Sequence, residues 1–273
     1  MDLDTTLDLL AFDPAASLDP AEIALHLARD EYPELDVEAY LSELAGMAHE
    51  ARKYVRGDLA ARVSGICRYL FHEMGFRGNV PDYYDPRNSY LNQVLDRRTG
   101  IPITLSVVAM AVGGRAGLNV VGIGLPGHFI AKAVDGQQEV LFDPFHGGRQ
   151  LTPEECGRLV EQVTARPFQA TPANLEATPL GLLVQRMLAN LKTVYWRVGD
   201  FARAARVIDR IRQLAPHDVR QQRDLGVSLL QTGQAGRAID HLAAYLRAIP
   251  DADDADAVRQ LLDRARGAVA GWN

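Results

Sequence analysis

The chain has 273 residues, 47% of them hydrophobic and 23% charged, with a formal net charge of −6 at pH 7. That length supports one sizeable core and a second, smaller unit, and the balance of charge excludes the strongly basic footprint of a nucleic-acid binder. Two cysteines, Cys67 and Cys156, are too few for a disulfide framework and do not match zinc spacing.

The opening MDLDTTLDLL is acidic and lacks the basic segment of a secretory signal. The longest apolar run, Ile101 to Val112, is too short to span a bilayer. A cytoplasmic protein that engages neither membrane nor nucleic acid is expected. Acidic residues crowd the first sixty positions and arginines the segment from Arg186 to Arg223. Segments of opposite sign can pack on each other or recruit different partners, though solvated helix faces are the simpler account.

Residues 18–30 predict a helix with Asp19 as its N-cap and Pro20 in the first turn. Helices over 36–56 and 58–74 follow, the second carrying Val63, Ile66, Leu70 and Phe71 on an apolar face and closed by Gly75. The loop from Asp82 to Asn92 is dense in Tyr83, Tyr84, Asn88, Tyr90 and Asn92. Such loops bind ligands, or they wedge aromatic rings onto a core, and both accounts fit here. An apolar helix over 101–116 is buried on most sides. Three short strands come next, 118–125, 128–134 and 139–144, punctuated by Pro126-Gly127 and Asp135-Gly136. Thr152 and Glu155 form a capping box for a further helix. The proline- and threonine-rich segment 164–180 is the predicted domain boundary.

From Leu182 onward the chain repeats. Gly199, Ala204 and Pro216 recur as Gly233, Ala238 and Pro250, each 34 residues later. That period, with glycine closing one helix, alanine at the close contact and proline after the next helix, is tetratricopeptide spacing. A last helix, 254–269, would cap the stack.

The glycines of Gly122 to Gly127 match GxGxxG formally, but Pro126 and a following strand exclude a phosphate-binding helix start. His128, Asp143 and His146 offer a zinc-type donor set. A lone triplet with no close-spaced pair is weak, so no metal and no cofactor is expected. The stronger pattern is a His128–Asp143 pair, placed side by side by adjacent antiparallel strands so that the acid fixes the imidazole tautomer. A thiol nucleophile would belong at the start of the preceding helix, where the helix dipole lowers its pKa.

Segments ARDEYPELDVEAYL, MGFRGN, DYYDPRNSYLNQVLDRRTGIPITLS, GLPGHF and LFDPFHGG carry a resemblance to the bacterial SirB-type family of transglutaminase-like proteins with tetratricopeptide repeats. It covers roughly residues 18–155 and continues through the repeats. The resemblance implies an α+β, papain-like core with a helical N-terminal part, followed by an all-α repeat region. The expected divisions are 1–163 (helical to about residue 80), a linker over 164–180, and repeats over 181–273. His128, followed by Phe129, matches the family's histidine, and Asp143 its Asp-Pro aspartate. The family's cysteine follows Gly-x at the helix start; here Gly100-Ile101 leads to Pro102, which has no nucleophile.

The resulting expectation is a non-catalytic core whose His128 and Asp143 persist as a structural or ligand-binding remnant. A cleft with Tyr83, Tyr84, Asn88, Tyr90, Asn92 and Pro102 would hold a peptide or small ligand, and the repeats would present a surface to a protein partner. The competing expectation is an amide or peptide hydrolase, or an acyltransferase. It would use His128 as base, Asp143 as orienter and a hydroxyl nucleophile, Thr104, with Ser106 on the same helix as a further candidate.

Overall fold

A computed structural model of the chain describes residues 2–271. Its first helix, α1 (Leu3–Phe12), lies ahead of every helix the sequence pattern predicts. The next three start alike. Asp19 Oδ1 accepts the Ala21 N–H at 2.9 Å to open α2 (Pro20–Ala28). Asp36 accepts from Ala39 at 3.1 Å to open α3 (Val37–Ala51), and Asp58 from Ala61 at 2.8 Å to open α4 (Leu59–Cys67). Each carboxylate satisfies a backbone donor that the first turn leaves without a partner. A π-turn, Arg68–Glu73, extends α4. The inward faces, including Leu25, Leu44, Val63, Ile66 and Leu70, are fully buried.

A two-stranded parallel ribbon, β1 (Arg77–Gly78) with β2 (Thr99–Gly100), brackets α5 (Leu91–Arg97). Between α5 and β2 the chain turns at Arg98, in the left-handed region (φ 54°). Its guanidinium lies 4.8 Å from the Phe76 ring centroid and donates to Glu43 at 3.0 Å. Helix α6 (Pro102–Arg115) then runs through the interior, buried from Pro102 to Ala109 and again from Ala111 to Gly113.

Four antiparallel strands pair in chain order: β3 (Val120–Leu125), β4 (His128–Asp135), β5 (Gln138–Asp143) and β6 (Arg149–Leu151). The meander has one strand more than the sequence pattern predicts. Pro126 and Gly127 make a two-residue connection between the paired Leu125 and His128. Helix α7 (Pro153–Thr164) opens on the predicted capping box, with Thr152 N–H donating to Glu155 Oε2 at 2.8 Å. Ile123, Leu125, Ile130, Leu141 and Leu151 of the sheet form one cluster with Cys156, Leu159 and Val160 of α7.

The proline-rich stretch after α7 lies along the sheet. Thr178 N–H donates to Gly122 O at 2.8 Å, Gly124 N–H to Thr178 Oγ1 at 2.7 Å, and Lys132 Nζ to Leu175 O at 2.8 Å. Pro172 opens a 3₁₀ turn within it, Pro172–Leu175, and its polar groups find partners at the sheet. The first compact unit, from Ala15 with the residues before Asp4, continues to Val184, inside α8 (Leu180–Arg197).

A second unit comprises Asp4–Pro14 and Gln185 onward. Its helices after α8 are α9 (Phe201–Leu214), α10 (Arg220–Gln231), α11 (Ala235–Ala248) and α12 (Ala255–Ala270). Gly199 and Gly233 hold φ of 74° and 77° where α8 and α10 end, a conformation that favours glycine. Ala204 and Ala238 are fully buried at the repeat contacts. Polar ties recur along the stack: Lys192 with Asp224 at 2.8 Å, Trp196 Nε1 to Ser228 Oγ at 3.0 Å, and Arg223 with Asp254. Within this unit α1 lies against α9, with Asp4 paired to Arg210 and Asp8 Oδ1 accepting from Gln213 Nε2 at 2.9 Å. Acidic N-terminal residues thus meet the arginine-rich segment directly. No helix among the described residues is long and apolar enough to cross a membrane.

Ala238→Leu inserts a branched side chain where none fits, and should cost about 1–3 kcal/mol of stability. The expected result is a lower urea midpoint for the helical transition, whereas the same substitution at the exposed Ala248, Ala248→Leu, should leave it unchanged.

Candidate functional site

His128 opens β4 immediately after the Pro126-Gly127 turn, and Asp143 ends β5. The β4–β5 register sets Ala131 opposite Phe142, so its continuation would place Asp143 opposite Ile130. His128 and Asp143 are therefore diagonal neighbours, and the two side chains reach across. His128 Nε2 lies 3.0 Å from Asp143 Oδ2. The other carboxylate oxygen, Oδ1, caps a single 3₁₀ turn, Pro144–His146, accepting from Phe145 N–H at 2.9 Å and His146 N–H at 3.3 Å. That turn swings His146 back onto the same acid, with Nδ1 2.7 Å from Oδ2. The two imidazoles stack with centroids 5.8 Å apart.

The structure brings together the two residues that the sequence pattern pairs, and adds a third. Asp-Pro-Phe-His was the available signal, because an Asp-capped turn returns the side chain three residues on. Asp143 is fully buried, the His128 side chain is 4% exposed and that of His146 is 48% exposed. Burial works to raise the Asp143 pKa, but the hydrogen bonds from His128 and His146 outweigh it and hold the acid well below the usual carboxylate range. The hydrogen bond to Asp143 raises the His146 pKa, against the opposing effect of partial burial. His128 Nε2, Asp143 Oδ2 and His146 Nδ1 thus form one donor cluster, with ligand atoms within 4.8 Å of one another.

Phe145 stands edge-on to His128, His146 and Tyr83, with centroids 6.1, 5.1 and 6.0 Å away. Gly78 allows this approach, since a Cβ there would lie 2.6 Å from the Phe145 ring. Beside His146 opens a groove of about 650 Å³ whose lining includes Ser64, Cys67, Arg68, His72 and Arg149.

Pro102 occupies the first turn of α6 and is buried. Thr104 Oγ1 is fully buried and bonded to Asn88 O at 2.8 Å and Ile101 O at 3.1 Å, while accepting from Ile101 N–H. Ser106 Oγ donates to Pro102 O at 2.8 Å. Both hydroxyls serve the helix start. The aromatic loop divides. Asn88 is wholly buried, its amide donating to Asp82 O and Tyr83 O and accepting from Asn79. Tyr90 is buried edge-on to Tyr32, and Asn92 is buried on α5. Tyr83 stands beside Phe145, and Tyr84 is 43% exposed.

Burial pushes the Cys67 thiol up to about 12. Burial, reinforced by the Asp143 charge, pushes Cys156 up to about 11. Both thiols are therefore protonated near neutral pH, and thiolates are what react. Neither should be modified by iodoacetamide in the native protein at pH 8, while both should be modified in guanidinium, as read by intact mass. Gly78→Ala should force Phe145 and its turn to shift, lowering stability by about 1–3 kcal/mol, with the loss read from thermal melts.

A family model described as the transglutaminase-like superfamily matches residues 38–189, and one described as tetratricopeptide repeat matches 191–263. A UPF0162 protein of Xylella fastidiosa (strain Temecula1) is 36% identical over 250 residues, covering 86% of each chain. Human F-box only protein 21 is 31% identical over 165 residues, which is 57% of this chain and 25% of that protein. Among solved structures, a crystal structure of menin, titled as revealing the binding site for the Mixed Lineage Leukemia protein, aligns with a TM-score of 0.40 and 11% identity. That alignment covers 89% of this chain and 69% of menin. The chain belongs to the transglutaminase-like superfamily and carries a tetratricopeptide-repeat region after its core.

Proposed function

We propose that this protein is a SirB-type, non-catalytic transglutaminase-like scaffold that binds a protein or peptide partner in the cytoplasm, in a regulatory role. The observation that carries the reading is Pro102. Acyl transfer in this superfamily needs an activated nucleophile at the start of the helix facing the His-Asp pair, and Pro102, whose ring nitrogen is tied up in the peptide bond, has no nucleophilic group to offer. The nearby hydroxyls support the same reading. Thr104 and Ser106 are fully buried and bonded to backbone carbonyls, so using either as a nucleophile would break bonds that hold the first turns of α6. Neither cysteine has thiolate character near neutral pH. A reducing compartment suits two unpaired thiols.

The partner surface is assigned to the repeats. Stacked tetratricopeptide helices present extended surfaces that take peptides, and the ties between α8 and α10 and between α10 and α12 hold such a surface in a fixed shape. In the core, Tyr83 and Tyr84 are the residues of the expected cleft that are not buried, and a separate groove opens beside His146. Asn88, Tyr90 and Asn92 act through the loop's packing.

Full-length protein incubated with hydroxyl- and thiol-directed acylating probes should show no labelling that depends on His128. Peptides enriched on it from a display library should be recovered intact and unattached. Cleaved or covalently attached peptide, or probe labelling, that His128→Ala abolishes would replace the scaffold reading with an enzyme.

A further inference from the structure

We propose that His128, Asp143 and His146 form a binding site for one divalent transition metal of the zinc class. The inference goes beyond the scaffold reading and stands or falls separately from it. Taken along the chain, Asp143 and His146 stand 3 residues apart and His128 lies 15 residues before Asp143, a spacing that matches no zinc motif. Folding supplies what spacing does not: Asp143 Oδ2 lies 3.0 Å from His128 Nε2 and 2.7 Å from His146 Nδ1. Two imidazole nitrogens with one carboxylate oxygen are the donors that borderline dications such as Zn²⁺, Co²⁺ and Ni²⁺ favour over Mg²⁺ or Ca²⁺.

Three features separate this cluster from acids and histidines that meet by chance on a surface. First, Asp143 is fully buried and His128 nearly so, so two donors sit where stray solvent charges do not collect. Second, the carboxylate is oriented from behind. Phe145 N–H and His146 N–H hold Oδ1, which directs Oδ2 at both imidazoles, and such supporting bonds commonly fix a metal-binding carboxylate. Third, the site has an entrance, because the half-exposed His146 also lines the groove of about 650 Å³. A dication entering there would reach a preassembled triad with one coordination position left for water or an incoming ligand, as open three-ligand zinc sites have.

Each imidazole nitrogen stands closer to Asp143 Oδ2 than around a bound metal. Bonds of about 2.0–2.2 Å in a tetrahedral shell separate ligand atoms by roughly 3.4 Å, so the two contacts to the acid, 3.0 and 2.7 Å, must each open by about half an ångström, while the two nitrogens lie within 4.8 Å of each other. His146 is half-exposed on its short turn at the groove and is the donor placed to adjust, whereas His128 and Asp143 are buried at the sheet ends. Hydrogen bonding alone also satisfies the triad, and that is the outcome the test must separate.

Tag-free full-length protein, stripped with chelator and desalted, would be titrated with Co²⁺ and followed by its visible ligand-field bands, with Zn²⁺ displacing it. The expected result is one equivalent bound, and affinity reduced on the order of 100-fold or more in His146→Ala, since one of three ligands is gone. His146 is half-exposed, so that variant should keep its fold, which circular dichroism checks; His128→Ala provides the second variant. His72→Ala, in the groove but outside the triad, should bind as wild type does. No stoichiometric uptake, uptake that survives His146→Ala, or uptake that disappears with His72→Ala would each overturn the assignment. The acylation test reads neither band nor stoichiometry, so a failure of either proposal is recognised on its own.

Discussion

A single buried carboxylate organises the site. An isolated charge placed in a protein interior costs several kcal/mol, and Asp143 is wholly shielded from solvent. Its cost is offset by four hydrogen-bonding contacts from three directions: the His128 ring, the His146 ring and two backbone amides of the turn it caps. These contacts tie the start of β4, the end of β5 and the following 3₁₀ turn into one unit. Phe145 and Gly78 then fit around that unit.

Helix α6 is the second constraint. Its start is built for burial: Pro102 brings no N–H that would need a partner, and Thr104 bridges Asn88 and Ile101. Asn88 in turn gathers Asn79, Asp82 and Tyr83, so the polar loop is braced from within and against the helix that opens at Pro102. Much of the loop's hydrogen-bonding capacity is thus used structurally, and Tyr83 stands edge-on to Phe145. This helix start lies within the span matched by the transglutaminase-like family model, and its proline and buried hydroxyl serve helix initiation.

The repeat region follows a different logic. Each helical pair buries its apolar face only against its neighbours, and the small residues Ala204 and Ala238 set how closely they approach. The polar ties add regularity, joining residues 32 positions apart between α8 and α10 and 31 apart between α10 and α12. Helix α1 joins this unit through Leu7 and Leu10, both buried, and through Asp4 and Asp8. It thereby ties an N-terminal segment to α9.

Local chemistry made much of this legible from the sequence. Asp19, Asp36 and Asp58 cap their helices through bonds to residues two or three positions away, Thr152 and Glu155 do the same, and the 34-residue period marks the equivalent glycine and alanine positions of neighbouring repeats. His128 and Asp143 were readable because each sits at a turn that ends a strand. Other features depended on contacts that sequence distance conceals. The proline-rich segment after α7 looked like a linker because its composition is that of one, yet Gly122 and Gly124 supply its backbone partners from more than fifty positions away. The loop's polar residues divided into buried braces and open surface only once α6 lay beneath them. His146 became a third donor because Asp143 bends the chain through one 3₁₀ turn while the sheet brings His128 to the same oxygen. The sequence by itself determined the helix caps, the turns beside His128 and Asp143 and the repeat period; the tertiary structure decided which side chains meet, because burial and non-local hydrogen bonding select among neighbours that local pattern leaves equivalent.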